Sequence, residues 1–455
     1  MSDCKESAEV VPDKVSQWRM LMFYIPLAIQ ALSQSLTYPL VASIVSHGRL
    51  GTDELAAFSQ GQSLLSLMGA IGIGLITTGM VFARTKSGMA NYGSLVMRIA
   101  VVVGALQFIV CMPPFNDFFF SRILGLNNEL AGIARWTTFL GIPLQFAFFL
   151  RNKHVVRLYN EKRSDLANIA TLMRVLVTAC LSPVFVALGM TGFFWGAVAL
   201  TLPVFGEAYL SKLFAKPYMD ALTDDSGEIA PISKQFRFTI PLSFGGILMS
   251  LSAFMIAVFI SRAESPETSL AIHYIIMGVI TPLGFAAIRM QSVVIAFPPE
   301  VYGKRKVATF AVLAGLMLSS CSLFMQIPQV AQWYFGKIQN LPPEHVALAK
   351  NAMLLIGLLP LVQSLRGHAD GLAALKRRPN AILSGQAVYL ATMVLSLQAL
   401  LSTKALTGYL MGVAAIHLAA LMALVTVHAG LVWGEFDDKY GNPSNRVPEA
   451  NTSSK

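Results

Sequence analysis

Apolar residues fill long unbroken stretches of the chain and do not alternate with polar ones at every second position. A helix that crosses a bilayer needs about 20 mostly apolar residues. Twelve runs meet that length, at 19–46, 55–83, 92–115, 130–152, 165–189, 192–214, 236–261, 270–298, 307–330, 347–375, 381–403 and 407–433. A porin-like barrel would show a period of two instead. The pattern predicts an all-α, polytopic membrane protein with twelve transmembrane helices.

Composition agrees with that reading. Of 455 residues, 55% are hydrophobic and 13% charged, and the mean hydropathy is +0.60, which excludes a water-soluble enzyme. Net charge is +10, but the basic residues are spread over short loops and form no stripe that could track a phosphate backbone, so no nucleic-acid partner is expected. Cys4, Cys111, Cys180 and Cys321 lie far apart without metal-ligand spacing and read as small apolar side chains. Residues 1–17 lack the apolar core of a cleaved signal, so the first span is expected to serve as the targeting segment.

Loop charge sets an orientation. With the N-terminus inside, the inner segments hold 21 Lys and Arg and the outer loops six (Arg49, Arg122, Arg262, Lys337, Lys350 and Lys404). Both termini are therefore expected on the cytoplasmic side of the cell membrane. Seven basic residues remain within or beside spans: Arg98, Arg135, Arg151, Lys153, Arg174, Arg289 and Arg366.

An internal repeat sets the architecture. Pro26-Leu27 recurs as Pro241-Leu242, and Leu55-Ala56 as Leu270-Ala271, both 215 residues on. "MTGFFWGAVAL" (190–200) recurs as "LTGYLMGVAAI" (406–416) at an offset of 216. Six spans per repeat is an even number, so both halves enter the membrane in the same direction, as two parallel-repeat six-helix lobes. The expected organisation is an N-terminal tail (1–18), an N-terminal lobe (19–215), a polar linker (216–235), a C-terminal lobe (236–434) and a polar tail (435–455).

The block "YIPLAIQALSQSLTYPLVASIVSHGRLGTDELAAFSQG", with the span count and the repeat, resembles the start of the multidrug and toxin extrusion (MATE) pattern of the multidrug/oligosaccharidyl-lipid/polysaccharide (MOP) flippase superfamily. The likeness covers roughly residues 20–433. Within that superfamily, "FISRA" (259–263), the elements Pro282, Gly284, Ile288 and Arg289, and Arg366-Gly367-His368 resemble the progressive ankylosis branch. No acid occurs between residues 20 and 52, where many drug-extrusion members carry an aspartate. The resemblance implies export of small organic or phosphorylated anions by alternating access between two lobes.

The buried polar groups point the same way. An ionised side chain at mid-bilayer costs about 3 kcal/mol and faces a partner or a watery cavity. Arg289 precedes Lys304 by 15 residues, and Arg366 precedes Lys376 by ten, which places them about 15–22 Å from the inner loops at 1.5 Å per residue. Arg98, two turns from the predicted inner end of its span, and Arg135 can snorkel and read as structural. Through the shared prolines Pro143 and Pro360, "RNKH" (151–154) lies opposite "RGHAD" (366–370), a basic cluster in each lobe. The expected anion-binding residues are Arg289, Arg366, His368, Arg151, Arg174 and Gln34.

Each has a plainer reading. Arg366 and Asp370, spaced i, i+4, form an ion pair within one helix equally well, and "RNKH" also reads as the basic inner end of its span. Gln34 and Ser35 could equally serve as helix–helix glue. Glu207, Asp370 and His273 are candidates for a coupling proton, with Glu207 alternatively paired to Lys212 and the histidine alternatively packed. His368-x-Asp370 offers two ligands, too few for a metal site, and no nucleotide-binding glycine loop exists. The expected protein is a monomeric secondary transporter without a cofactor, and not an enzyme, whose partners are a small anion and membrane lipid. The alternatives are cation-coupled drug efflux and flipping of a lipid-linked substrate.

Overall fold

The computed structural model describes residues 16–34, 37–123, 126–224, 229–339 and 341–440, with the side chains of 34, 38–39, 123, 253–254, 267, 338 and 434–440 also outside the described set. Most of both predicted tails, part of the linker and Ser35 therefore fall outside it. So does the side chain of Gln34, the residue that closes α1.

The N-terminal lobe comprises α1 (Gln17–Gln34), α2 (Thr37–Ser46), α3 (Thr52–Gly69), α4 (Ile73–Phe82), α5 (Lys86–Val110), α6 (Asn128–Leu140), α7 (Ile142–Asn160), α8 (Ser164–Ala187) and α9 (Phe193–Asp220). The C-terminal lobe comprises α10 (Ile232–Ile260), α11 (Pro266–Ile288), α12 (Met290–Ala296), α13 (Pro299–Tyr302), α14 (Lys304–Leu323), α15 (Pro328–Ala331), α16 (Pro343–Ile356), α17 (Leu359–Leu375), α18 (Pro379–Thr403) and α19 (Gly408–Tyr440). Among the described residues, eleven helical stretches are long and apolar enough to cross a membrane. They coincide with predicted spans two to twelve, and α1 with α2 takes up the first. The third span begins at Lys86, about one and a half turns before the predicted residue 92.

The repeat is visible in the irregularities as well as in the helices. A π-helical turn at Asp117–Ile123 has its counterpart at Gln332–Ile338, 215 residues on. The break between α6 and α7 at Gly141 matches the one between α16 and α17 at Gly357. Irregularities of this kind are uncommon, so their recurrence at offsets of 215 and 216 marks duplicated architecture.

Packing differs between the two ends. At the basic end one apolar core joins the lobes, with Met20, Phe23, Tyr24 and Leu27 of α1 against Ala286, Met290, Phe297 and Phe310. Phe23 meets Phe297 edge to face at 5.6 Å, and Tyr24 meets Phe310 at 5.9 Å. The Tyr24 hydroxyl donates to the Ala286 carbonyl at 3.0 Å, and Lys162 Nζ to the Tyr302 hydroxyl at 2.6 Å. Further up, Thr78 and Thr239 share a hydrogen bond at 2.8 Å and the Ser243 hydroxyl donates to the Ile71 carbonyl at 2.6 Å. At the opposite end each lobe has its own core, one around Val41, Phe58 and Leu200 and the other around Ile260, Met353 and Met411. Among the described residues, the ion pairs there stay within one lobe, as in Arg49–Glu129 and Lys404–Glu264. The molecule is thus closed at its basic end and divided at the other.

Candidate functional site

A cavity of about 300 Å³ lies where the lobes part, lined by Gln62, Ser66 and Gly69 of α3, Ile73 and Ile76 of α4, Gln145, Phe148, Arg151 and Asn152 of α7, and Arg289 from the C-terminal lobe. A smaller one of about 140 Å³ shares the walls Gln62, Leu144 and Phe148 and adds Thr37, Arg174, Leu200 and Val204. Three arginines and no carboxylate stand in the combined lining.

Local sequence explains how each arginine is held. Gly141 and Pro143 start α7, so Arg151 sits about two turns inside the helix. Its Nη1 donates to Glu207 Oε1 at 2.7 Å. Along α8, Thr171, Arg174, Thr178 and Ser182 recur at i+3 and i+4, a buried polar stripe on one face. Arg174 Nη1 reaches Glu207 Oε2 at 3.2 Å, and the Thr171 hydroxyl also donates to Glu207. The network continues toward the basic end: Gln30 Nε2 donates to Thr171 Oγ1 at 2.8 Å and the Tyr159 hydroxyl to Gln30 Oε1 at 2.7 Å. Both guanidinium groups stack on Phe148, at 5.1 Å for Arg151 and 5.5 Å for Arg174, where a ring face attracts a cation. One buried carboxylate thus serves two arginines and leaves a surplus positive charge beside the cavity.

Arg289 is placed by a helix break. It falls between α11 and α12, and α12 lies against the glycine face of α17. A Cβ on Gly367 would come within 2.9 Å of the Ile288 carbonyl, and one on Gly371 within 2.6 Å of Val294 Cβ. Small residues one turn apart allow that approach. Arg289 is half-buried and faces across the lobe boundary.

The remaining candidates lie elsewhere. Arg366 is 2% exposed, absent from the lining of both cavities, and pairs with Asp370 of its own helix at 3.9 Å. Its guanidinium also stacks on Tyr389 at 5.4 Å. His368, two residues on, faces an apolar groove shared with His428 of α19. His273 is buried in the C-terminal lobe against Gly412. Glu207 meets arginines rather than Lys212. "RNKH" does not act as one cluster, because successive residues of a helix point about 100° apart. Arg151 and Asn152 face the cavity, while Lys153 lies against Gly93 of α5. Among the described residues, no group of three His, Cys, Asp or Glu side chains is arranged to hold a metal.

Sequence reasoning missed Gln30, Thr171, Tyr159, Phe148, Gln62 and Gln145. The stripe along α8 was the one local signal available, since a run of buried hydroxyls flanking an arginine marks a polar helix face. The glutamines carry no comparable mark.

No family model matches the chain, and no curated protein matches it. Solved structures do. An outward-facing multidrug resistance MATE family transporter of the MOP superfamily superposes with a TM-score of 0.73 at 18% identity, covering 95% of this chain and 98% of that one. A MOP superfamily transporter from Pyrococcus furiosus, described as having a binding pocket of reverse polarity that suggests a different function, gives 0.71 at 18% identity over 92% and 95%. A eukaryotic MATE transporter gives 0.70 at 15% identity over 93% and 99%. None of these three is described as a progressive ankylosis protein, and the likeness at such identities is one of architecture: the chain has the MATE fold.

Proposed function

We propose that the protein is a secondary membrane transporter that carries a small organic or phosphorylated anion through the cavity between its lobes, by alternating access. The observation that carries this reading is the lining of that cavity. Arg151 and Arg174 come from one lobe, where they share Glu207, and Arg289 comes from the other. Positive potential in a cleft with low-dielectric walls concentrates anions and repels organic cations. Because the arginines come from opposite lobes, a bound anion would bridge them, and rocking of the lobes would break and remake that bridge. By the positive-inside rule the closed end would face the cytoplasm, and on that orientation the cavity opens to the outside. Expulsion of an anion from a negative-inside cell is driven by the membrane potential at about 2.3 kcal/mol per charge per 100 mV.

The test is flux of radiolabelled citrate, succinate and glucose 6-phosphate in proteoliposomes with an imposed potential. At least one is expected to move with the wild type, and Arg289→Gln is expected to lose most of that flux while folding normally. A variant that transports as the wild type does would overturn the assignment.

A second reading is cation-coupled drug efflux, favoured by the buried carboxylates Glu207 and Asp370 and by the fold likeness to a multidrug resistance transporter. Export of cationic dyes, with no anion flux and complete loss in Glu207→Gln, would establish it instead.

A further inference from the structure

A separate cavity of about 580 Å³ lies on the flank of the molecule, where α5 of one lobe runs beside α10 of the other. Its lining is almost wholly apolar and includes Val102, Val103, Phe236, Phe244 and Ile247. Val102 and Phe244 are 58% and 57% exposed, so the groove opens on the flank that hydrocarbon surrounds, away from the central cavity. Its hydroxyls are mostly engaged: Thr239 bonds Thr78 and the Gln235 carbonyl, and Ser243 the Ile71 carbonyl. One charge stands in this lining, on Arg98.

Arg98 is exposed and makes no hydrogen bond or ion pair among the described residues. It is the midpoint of the 25-residue α5. Because α5 starts at Lys86, Arg98 lies about 18 Å along the helix from its basic end at 1.5 Å per residue. The first turns of α5, Lys86 to Ser94, are mostly polar and its apolar stretch opens at Leu95, one turn before Arg98, so the guanidinium stands near the headgroup layer at the basic end. A guanidinium on a lipid-facing surface at that level attracts the anionic phosphate of a neighbouring lipid.

We propose that this groove binds an anionic phospholipid of the surrounding bilayer, its phosphate paired with Arg98 and an acyl chain lying along Val102, Phe244 and Ile247. The planar guanidinium matches two phosphate oxygens at once, and the apolar walls match hydrocarbon. The apolar walls select a lipid over a free anion, which has no acyl chain to lay along them. The site lies beside the Thr78–Thr239 contact between lobes, so an occupant braces the closed end. This inference is independent of what the central cavity carries.

The test is native mass spectrometry of the full-length protein in detergent, titrated with phosphatidylglycerol and with phosphatidylcholine of the same acyl chains. The wild type is expected to bind phosphatidylglycerol about tenfold more tightly, the ratio for one charge-assisted contact. Arg98→Gln should abolish the preference, and Arg122→Gln, an exposed arginine outside the groove, should keep it. Val102→Trp leaves Arg98 in place but fills the groove, and should weaken both lipids; it decides the matter should Arg98→Gln fail to fold. Equal binding of the two lipids by the wild type would overturn the proposal. So would an undiminished preference in the Arg98 variant, undiminished binding of both lipids by the Val102 variant, loss of the preference in Arg122→Gln, or displacement of the bound lipid by inorganic phosphate.

Discussion

Replacement of Glu207 by glutamine removes the carboxylate that two buried arginines share while leaving the shape of the site almost unchanged. The three side chains are 8%, 4% and 1% exposed for Arg151, Arg174 and Glu207, so water cannot take over the lost contacts. The amide keeps one acceptor oxygen, so Arg151 or Arg174 faces an N–H donor in place of a carboxylate oxygen, and two guanidinium groups about equally buried are left to repel each other. Breaking a buried pair in this way costs about 3–5 kcal/mol. In a lobe of about 200 residues each kcal/mol lowers the melting point by about 2–4 °C, so a fall of at least about 6 °C is expected. The assay is thermal denaturation in detergent followed by size-exclusion fluorescence. Removing the repulsion with a second change, Arg174→Met, should restore part of the loss, because the remaining arginine then faces a neutral amide alone. Anion affinity in Glu207→Gln should be equal to or greater than that of the wild type, since the surplus positive charge at the cavity rises. A variant that melts within about 1 °C of the wild type would refute the shared-carboxylate account, and one that is stable but loses anion binding would refute the charge argument.

Other outcomes follow from the same geometry. Lys162 stands 4.8 Å from the Phe297 ring and 4.6 Å from that of Tyr302, so Lys162→Met should weaken the closed end by about 1–2 kcal/mol; spin-label distances across the basic end would lengthen in a larger fraction of molecules, and an unchanged distribution would count against the latch. Gly246→Val should force the lobes apart in the same direction, because its Cβ would stand 2.6 Å from the Ala70 carbonyl oxygen, and the same distances report it. Arg366→Met should destabilise the fold by about 3–5 kcal/mol whereas the double variant with Asp370→Leu recovers most of that; loss of transport in a stable double variant would show that Arg366 acts on the substrate. Asp224, outside the spans, accepts from the Ser87 N–H and hydroxyl at 2.7 Å each, which holds its carboxyl below the usual 3.8. Its folded value is depressed, so the contact persists at neutral pH and is lost only as pH falls through the carboxylate range. Asp224→Asn should therefore increase protease cleavage near the linker at pH 7.

Several features were legible in the chain because they depend on local composition. Lipid demands a fixed length of apolar helix, so spans two to twelve could be placed within a few residues, and duplication at a constant offset survives as repeated short motifs. Loop charge marks one end because basic residues resist translocation. Arginine partners were less legible, because a partner depends on which way each residue turns about its helix axis and on which helix packs there. Arg366 and Asp370 met as their one-turn spacing allowed. Glu207 met Arg151 and Arg174, 56 and 33 residues away in the chain, a pairing no spacing announces.

The apolar pattern thus decided that the chain is two sets of membrane helices in the same order, with charge gathered at one end, since these follow from burying backbone in hydrocarbon whatever the neighbours. Tertiary packing decided the rest: the break at Arg289 and the small face of α17 carry that residue to the lobe boundary, while Asp370 keeps Arg366 inside its own lobe. Helix contacts, not residue type, determine which positive charge a solute can meet, because a guanidinium paired one to one with a carboxylate has little attraction left to offer.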